Sequence, residues 1–276
     1  MTKAANQRPV IVAVFGSSTN VPTEILGLAT CTGSKIAAQG FVVLTGGTME
    51  EEPAQAVKDA ALKGATPDSD WIGVLQDGNC RDSNHDGNCA DFKPDDKGRI
   101  IYTDMGHQRN FLEALLCDAA VVFAGKEGTI SEAVSTLCLG RPVLLCANGW
   151  TEDRLATHQL LEIQRALYRL FETQELTEKQ KGDLVQATIH RLERGNQNGP
   201  LKDRITATVK PERIQLSEHS GLVPVTDPEP CQTIADWLTD LDTFPRTGEF
   251  PDLGGKYAQI KMKYDEWLLH LSPPTQ

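Results

Sequence analysis

A guanidinium and a carboxylate bracket the stretch of this chain best equipped for chemistry. Arg109 stands near the start of one helical pattern and Glu132 near the start of the next, within residues 105–132, MGHQRNFLEALLCDAAVVFAGKEGTISE. Between them lies a buried strand pattern, 119–124, ending in a turn with Gly125, Lys126 and Gly128 before a helix opens at Thr129. Such a turn lets backbone N–H groups face outward, and the dipole of the following helix adds partial positive charge, so an anion is received there. The pattern therefore offers a cation for a phosphate beside a carboxylate for chemistry. Glu132 has a second reading, because Thr129-x-x-Glu132 is also the spacing of a capping box. His107, beside Arg109, is either an acid–base group or an ordinary exposed residue in a first helical turn.

The elements that must position these residues are read from apolar periodicity. Continuous apolar runs at 9–15, 41–45, 71–75, 100–103, 119–124 and 143–146 mark strands buried on both faces, and helical patterns separate most of them. Strand and helix in alternation predict an α/β fold, a Rossmann-like doubly wound parallel sheet. In such sheets ligands bind beyond the carboxyl ends of the strands. Small residues gather at four of those ends: Gly16, Ser17 and Ser18; Gly46, Gly47 and Thr48; the approach to Met105; and Gly125 to Thr129. One glycine turn is weak evidence, whereas four on one edge point to a phosphate-bearing ligand.

Two segments interrupt the alternation. Residues 77–98 are polar and read as an inserted loop. Within it Asp82, Asn84 and Asp86, followed by Gly87, match the first half of a calcium loop, but Lys93 stands where the closing glutamate belongs, so a calcium site and a solvated loop both remain open. Residues 151–195 read as two amphipathic helices with a capping box from Thr177 to Gln180 between them. They can pack on the sheet, cover the site or form a dimer contact. A strand near 222–225 and a helix at 230–241 return to the core, making the helical pair an insertion. The predicted organisation is one domain over 1–276, with its core at about 9–150 and 221–242 and a last helix at 254–271.

FGSS, LTGGT, MxxRN and GxxGTxSE follow one another in an order that resembles the Smf/Lonely-guy (SLOG) group of Rossmann-like nucleotide binders. That group includes nucleoside-monophosphate phosphoribohydrolases and molybdenum cofactor carrier proteins. The resemblance implies a nucleotide-derived or pterin-phosphate ligand held by Gly16, Ser17, Ser18, Gly46, Gly47, Thr48, Met105, Arg109, Gly125, Lys126, Gly128 and Thr129. In the hydrolase branch the residue matching Arg109 is catalytic and contacts phosphate, and the one matching Glu132 assists N-glycosidic cleavage, as carboxylates do in glycoside hydrolysis. This chain has Ala124-Gly125-Lys126 where the family has Pro-Gly-Gly, and Ser131-Glu132 where the hydrolases pair two glutamates. The Gly-Thr-x-Ser-Glu form and the Arg109-Asn110 pair look closer to the carrier branch, and the departures at Lys126 and Ser131 favour binding over hydrolysis. The expected function is ligand binding as a carrier or sensor, with the molybdenum cofactor among the candidate ligands; the alternative is a phosphoribohydrolase. Family members commonly dimerise, which implies a homo-oligomer.

Composition narrows the partners. The chain has 276 residues, 39% of them hydrophobic, and Lys+Arg 27 against Asp+Glu 38 give a net charge of −11. An acidic surface without a basic stripe disfavours nucleic acid. No apolar run approaches a membrane span, and the first ten residues hold no signal core. The seven cysteines form no CxxC pair, and several sit in apolar segments as reduced thiols do, so the expected location is cytoplasmic.

Overall fold

The computed structural model describes residues 8–18, 21–47, 56–65, 70–75, 98–103, 105–148, 158–194, 200–241, 243, 261 and 264. Seven strands form one sheet: β1 (Ile11–Phe15), β2 (Val42–Thr45), β3 (Trp71–Leu75), β4 (Gly98–Tyr102), β5 (Ala119–Val122), β6 (Val143–Cys146) and β7 (Gly221–Val223). Their order is β4-β3-β2-β1-β5-β6-β7, and every pairing is parallel. The chain winds outward from β1 to β4, then crosses back to place β5 on the other side of β1. The order reverses between β1 and β5, where Phe15 is level with Val122.

Alternation along the strands builds two cores, one on each face. Val10, Val12, Val14, Val43, Trp71 and Val121 face α1 (Thr23–Ala38), α2 (Val57–Ala65) and α8 (Pro230–Leu241). Ile11, Ala13, Phe15, Leu44, Ile72 and Val122 face α3 (Arg109–Leu116) and α4 (Glu127–Cys138). The buried residues of α1 (Ile25, Leu28, Ala29, Thr32, Gly33 and Ile36) recur at helical spacing and form one stripe. In α3 and α4 almost every side chain is buried, because each lies between the sheet and a further layer of helix.

That further layer is the insertion between β6 and β7. It holds α5 (His158–Thr173) and α6 (Glu178–Glu193), with the expected capping box: Thr177 Oγ1 accepts from the Gln180 backbone N–H at 3.3 Å, and Gln180 Oε1 accepts from the Thr177 N–H at 3.0 Å. A third helix, α7 (Pro200–Thr208), extends the anticipated pair. Leu160, Leu167, Leu170, Leu184, Val185 and Leu192 join the core of the α3–α4 face, so the inserted helices pack within the chain. The expected last helix lies mostly outside the described residues; within it, Tyr264 is buried and its hydroxyl donates to the Leu116 carbonyl at 2.8 Å.

The cysteines divide. Cys117, Cys138 and Cys146 are buried free thiols, as core cysteines were expected to be. Cys31 on α1 and Cys231 on α8 are instead joined in a disulfide, their Cα atoms 6.2 Å apart, a partnership that no local spacing announces. Among the described residues no helix is long and apolar enough to cross a membrane.

Candidate functional site

Where the strand order reverses, the turns after β1 and β5 touch. The Ser17 N–H donates to the Ala124 carbonyl at 3.0 Å, and a Cβ on Gly125 would lie 3.1 Å from Ser17 N and collide with the Thr129 side chain. Gly16 is equally constrained, since a Cβ there would come within 2.7 Å of Val57. The first N–H of α2, that of Val57, donates to the Ser17 carbonyl at 3.1 Å. Glycine is thus required sterically at both turns, because backbone and helix starts crowd the crevice. This is the position at which open α/β sheets receive ligands.

Helix α4 opens earlier than its sequence suggests. Lys126 is its N-cap, in extended conformation with φ −97°, and no side chain caps the helix. Thr129 and Glu132 therefore lie inside α4, and the capping-box explanation of Glu132 fails. Lys126 is exposed and takes an ordinary backbone conformation, so its side chain does not crowd the turn.

Arg109 and Asn110, adjacent in sequence, serve different strand ends. Arg109 Nη1 donates to the Gly46 carbonyl at 2.6 Å and to the Val74 carbonyl at 2.8 Å, holding the ends of β2 and β3 together. Asn110 Nδ2 donates to the Gly128 carbonyl at 3.3 Å and so holds the turn after β5. Arg109 Nη1 also meets Glu113 Oε1 at 3.1 Å, one helical turn on. Gly46 exists to admit this pair: a Cβ on it would overlap Arg109 Nη1 and approach Glu113 Oε1 to 2.8 Å. Gly47 lies under the Lys58 side chain, whose Cγ would be 3.0 Å from a Cβ there.

Glu113 is fully buried, and its Oε2 has no hydrogen-bond partner among the described residues. Burial pushes its carboxyl from 4.5 up to about 7, against the pull of Arg109 and Lys58. Glu132 is raised well above the ordinary carboxylate range, first by burial and then by Glu113, with Arg109, Arg191 and Lys58 opposing. Four helices thus bring Lys58, Arg109, Glu113, Glu132 and Arg191 to one edge. Two buried carboxyls that repel one another's charge hold a proton near neutral pH. Chemically, the edge offers backbone donors, guanidinium groups and a carboxyl able to give a proton.

Ser17 and Ser18 lie in the turn after β1, and Gly128 lies in the first turn of α4. Met105 is 2% exposed, its side chain in the core, so only its backbone borders the edge. His107 is half-buried in a single 3-10 turn, Gly106–Gln108; burial lowers its pKa, as do the charges of Arg191, Arg109 and Arg194. Thr48, Asp82, Asn84 and Asp86 lie outside the described residues. Among the described residues no three His, Cys, Asp or Glu side chains gather as a metal site would require.

Four contributors escaped the sequence reading. Glu113 had a signal, a carboxylate four residues after Arg109 within an otherwise apolar FLEALL. Lys58 had none. Gln164 of α5 is buried and donates to the Gly125 carbonyl, while Arg191 of α6 lies beside Gly128. Both come from the insertion, which therefore borders the site as well as packing on the fold.

Three solved structures illustrate the relationship. The molybdenum cofactor binding protein from the phototrophic bacterium Rippkaea orientalis is 28% identical over 51% of this chain and 78% of its own, with a TM-score of 0.40. The molybdenum cofactor carrier protein of Chlamydomonas reinhardtii is 28% identical over 50% and 77%, with a TM-score of 0.38. The DNA processing protein A of Helicobacter pylori, described as binding single-stranded DNA, is 20% identical over 50% and 66%, with a TM-score of 0.37. No curated protein matches the chain. The model of the SLOG cluster4 family matches residues 9–177, well over half of the sequence, and the chain belongs to that family.

Proposed function

We propose that the chain binds a phosphate-bearing ligand, nucleotide-derived or pterin-based, at the carboxyl edge of its sheet, as a carrier or sensor. The observation that carries this reading is the contact between the two glycine turns at the reversal of strand order, Ser17 N to Ala124 O, with α4 beginning directly behind them. The start of α4 behind these turns favours negative charge. The MxxRN and GxxGTxSE motifs bring pterin phosphates such as the molybdenum cofactor, and nucleoside monophosphates, into the candidate ligand class.

A second reading rests on Glu132. With capping removed as its explanation, a buried carboxyl beside Glu113 and Arg109 suits N-glycosidic hydrolysis of a nucleoside monophosphate, protonating the leaving base or stabilising the sugar cation. The experiment is titration calorimetry with nucleoside monophosphates together with a chromatographic assay for free base, on the wild type and Glu132→Gln. Binding without base release supports the carrier or sensor. Base release that disappears in Glu132→Gln establishes the hydrolase. No binding of any phosphate-bearing probe, including pterin phosphates, refutes both.

A further inference from the structure

Helix α6, which packs on α4 and on the 3-10 turn of His107, carries Arg191 in its last turn and ends at Arg194, its C-cap. Arg191 lies against the glycine turn: a Cβ on Gly128 would be 3.8 Å from its Nη2 and 3.9 Å from its Nε. That Nε is buried and has no hydrogen-bond partner among the described residues. Arg191 forms no ion pair among those residues, and the carboxyl groups that bear on it are Glu127 and Glu132. Arg109 and Arg194 push against it, and the same three guanidinium groups bear on His107. Arg194 is turned to His190, its Nη2 2.9 Å from His190 Nε2.

An ordinary solvated arginine on an amphipathic helix keeps its whole guanidinium in water. Arg191 is half-buried with its Nε shut off from water, and a donor left there without a partner is expensive unless something answers it. In a chain of net charge −11, three arginines and a histidine converge at one turn, with the carboxyls of Glu127 and Glu132 facing Arg191, which makes a local concentration of cationic groups. Its natural complement is an anion. Gly128 presents no side chain between this group and the 125–129 turn, so the two anion-favouring surfaces are continuous across it.

We propose that Arg191, supported by Arg194 and His107, forms a second anion subsite adjoining the glycine turn, and that the ligand carries two linked phosphates, a diphosphate-class group. The inference rests on the binding reading above for its first phosphate. Its two arginines, Arg191 and Arg194, lie outside the residues that match the family, which end at 177.

The test uses inorganic pyrophosphate and orthophosphate on the full chain, by titration calorimetry at low ionic strength. Pyrophosphate binds more tightly than orthophosphate, and Arg191→Gln weakens pyrophosphate by about tenfold or more while leaving orthophosphate within about twofold. Equal affinity for the two anions, or an equal loss of both in Arg191→Gln, overturns the subsite while leaving the binding reading intact. If neither anion binds, both fail. Circular dichroism checks that the variant is folded; if it is not, Arg194→Gln replaces it, and a pyrophosphate affinity unchanged in that variant overturns the proposal.

Discussion

Replacing Glu113 by glutamine separates two accounts of the buried Arg109–Glu113 pair, because they differ in sign. If Glu113 is an ionised partner that holds Arg109, truncating the pair destabilises the fold by about 3–5 kcal/mol. The structure argues otherwise. Glu113 is fully buried, only Oε1 reaches Arg109, and Oε2 has no partner among the described residues. Its carboxyl is accordingly raised from 4.5 to about 7. A raised folded-state pKa means that the neutral form is the stabilising one: its contribution is full below 4.5 and is lost as pH climbs through about 7. At about 1.4 kcal/mol for each pH unit between those values, ionised Glu113 costs the fold about 3 kcal/mol above pH 8. Glu113→Gln imitates the neutral acid. It should match the wild type at pH 4.5 and exceed it by as much as about 3 kcal/mol at pH 8. Urea unfolding followed by circular dichroism across that range measures the difference, provided the m-values agree. A variant less stable than the wild type at pH 8, or a gap independent of pH, refutes the argument and restores the ion pair.

Two further perturbations test other parts of the edge. Gly46→Ala sets a methyl on Arg109 Nη1 and beside Glu113 Oε1, so it should destabilise by about 1–3 kcal/mol and weaken orthophosphate binding; unchanged urea midpoint and affinity would contradict the role given to that glycine. Reducing the Cys31–Cys231 disulfide, whose cysteines are 200 residues apart, should lower stability by about 3–5 kcal/mol. Cys31→Ser should reproduce the loss and make the protein indifferent to dithiothreitol, measured by the same unfolding assay.

The strands were legible because strands buried on both faces leave continuous apolar runs, as at Ile11–Phe15 and Val143–Cys146. Glycine turns at their ends were legible because close approach excludes other residues: a Cβ on Gly16 or Gly125 would collide with Val57 or Thr129, and Gly46 leaves room for the ends of Arg109 and Glu113. Helix α7 was missed because PLKDRITAT is polar, and among the described residues its apolar contribution to the core comes from Ile205 and neighbouring Val209. The Thr129–Glu132 spacing misled because a capping box is a local pattern, whereas the start of α4 was set three residues earlier by the packing of Gly125 against Ser17 and Thr129.

What the sequence withheld at the site is direction and distance. Arg109 was recognisable as a residue at the edge, but its target depends on strand order, since only the placement of β2 and β3 side by side brings the Gly46 and Val74 carbonyls within reach of one nitrogen. Glu132 and Glu113 become proton-holding groups only once burial and proximity are known, and neither is written in the residues flanking them. Gln164 and Arg191 are further removed: they approach Gly125 and Gly128 from helices inserted after β6, with no periodicity to announce it. The region that matches the family supplies both the turn and Gln164, which donates to its carbonyl, and Arg191, beyond that region, places a guanidinium beside Gly128. A helix that served only stability would have no reason to shut the Arg191 Nε away from water at that edge, and the proposed second anion subsite supplies one.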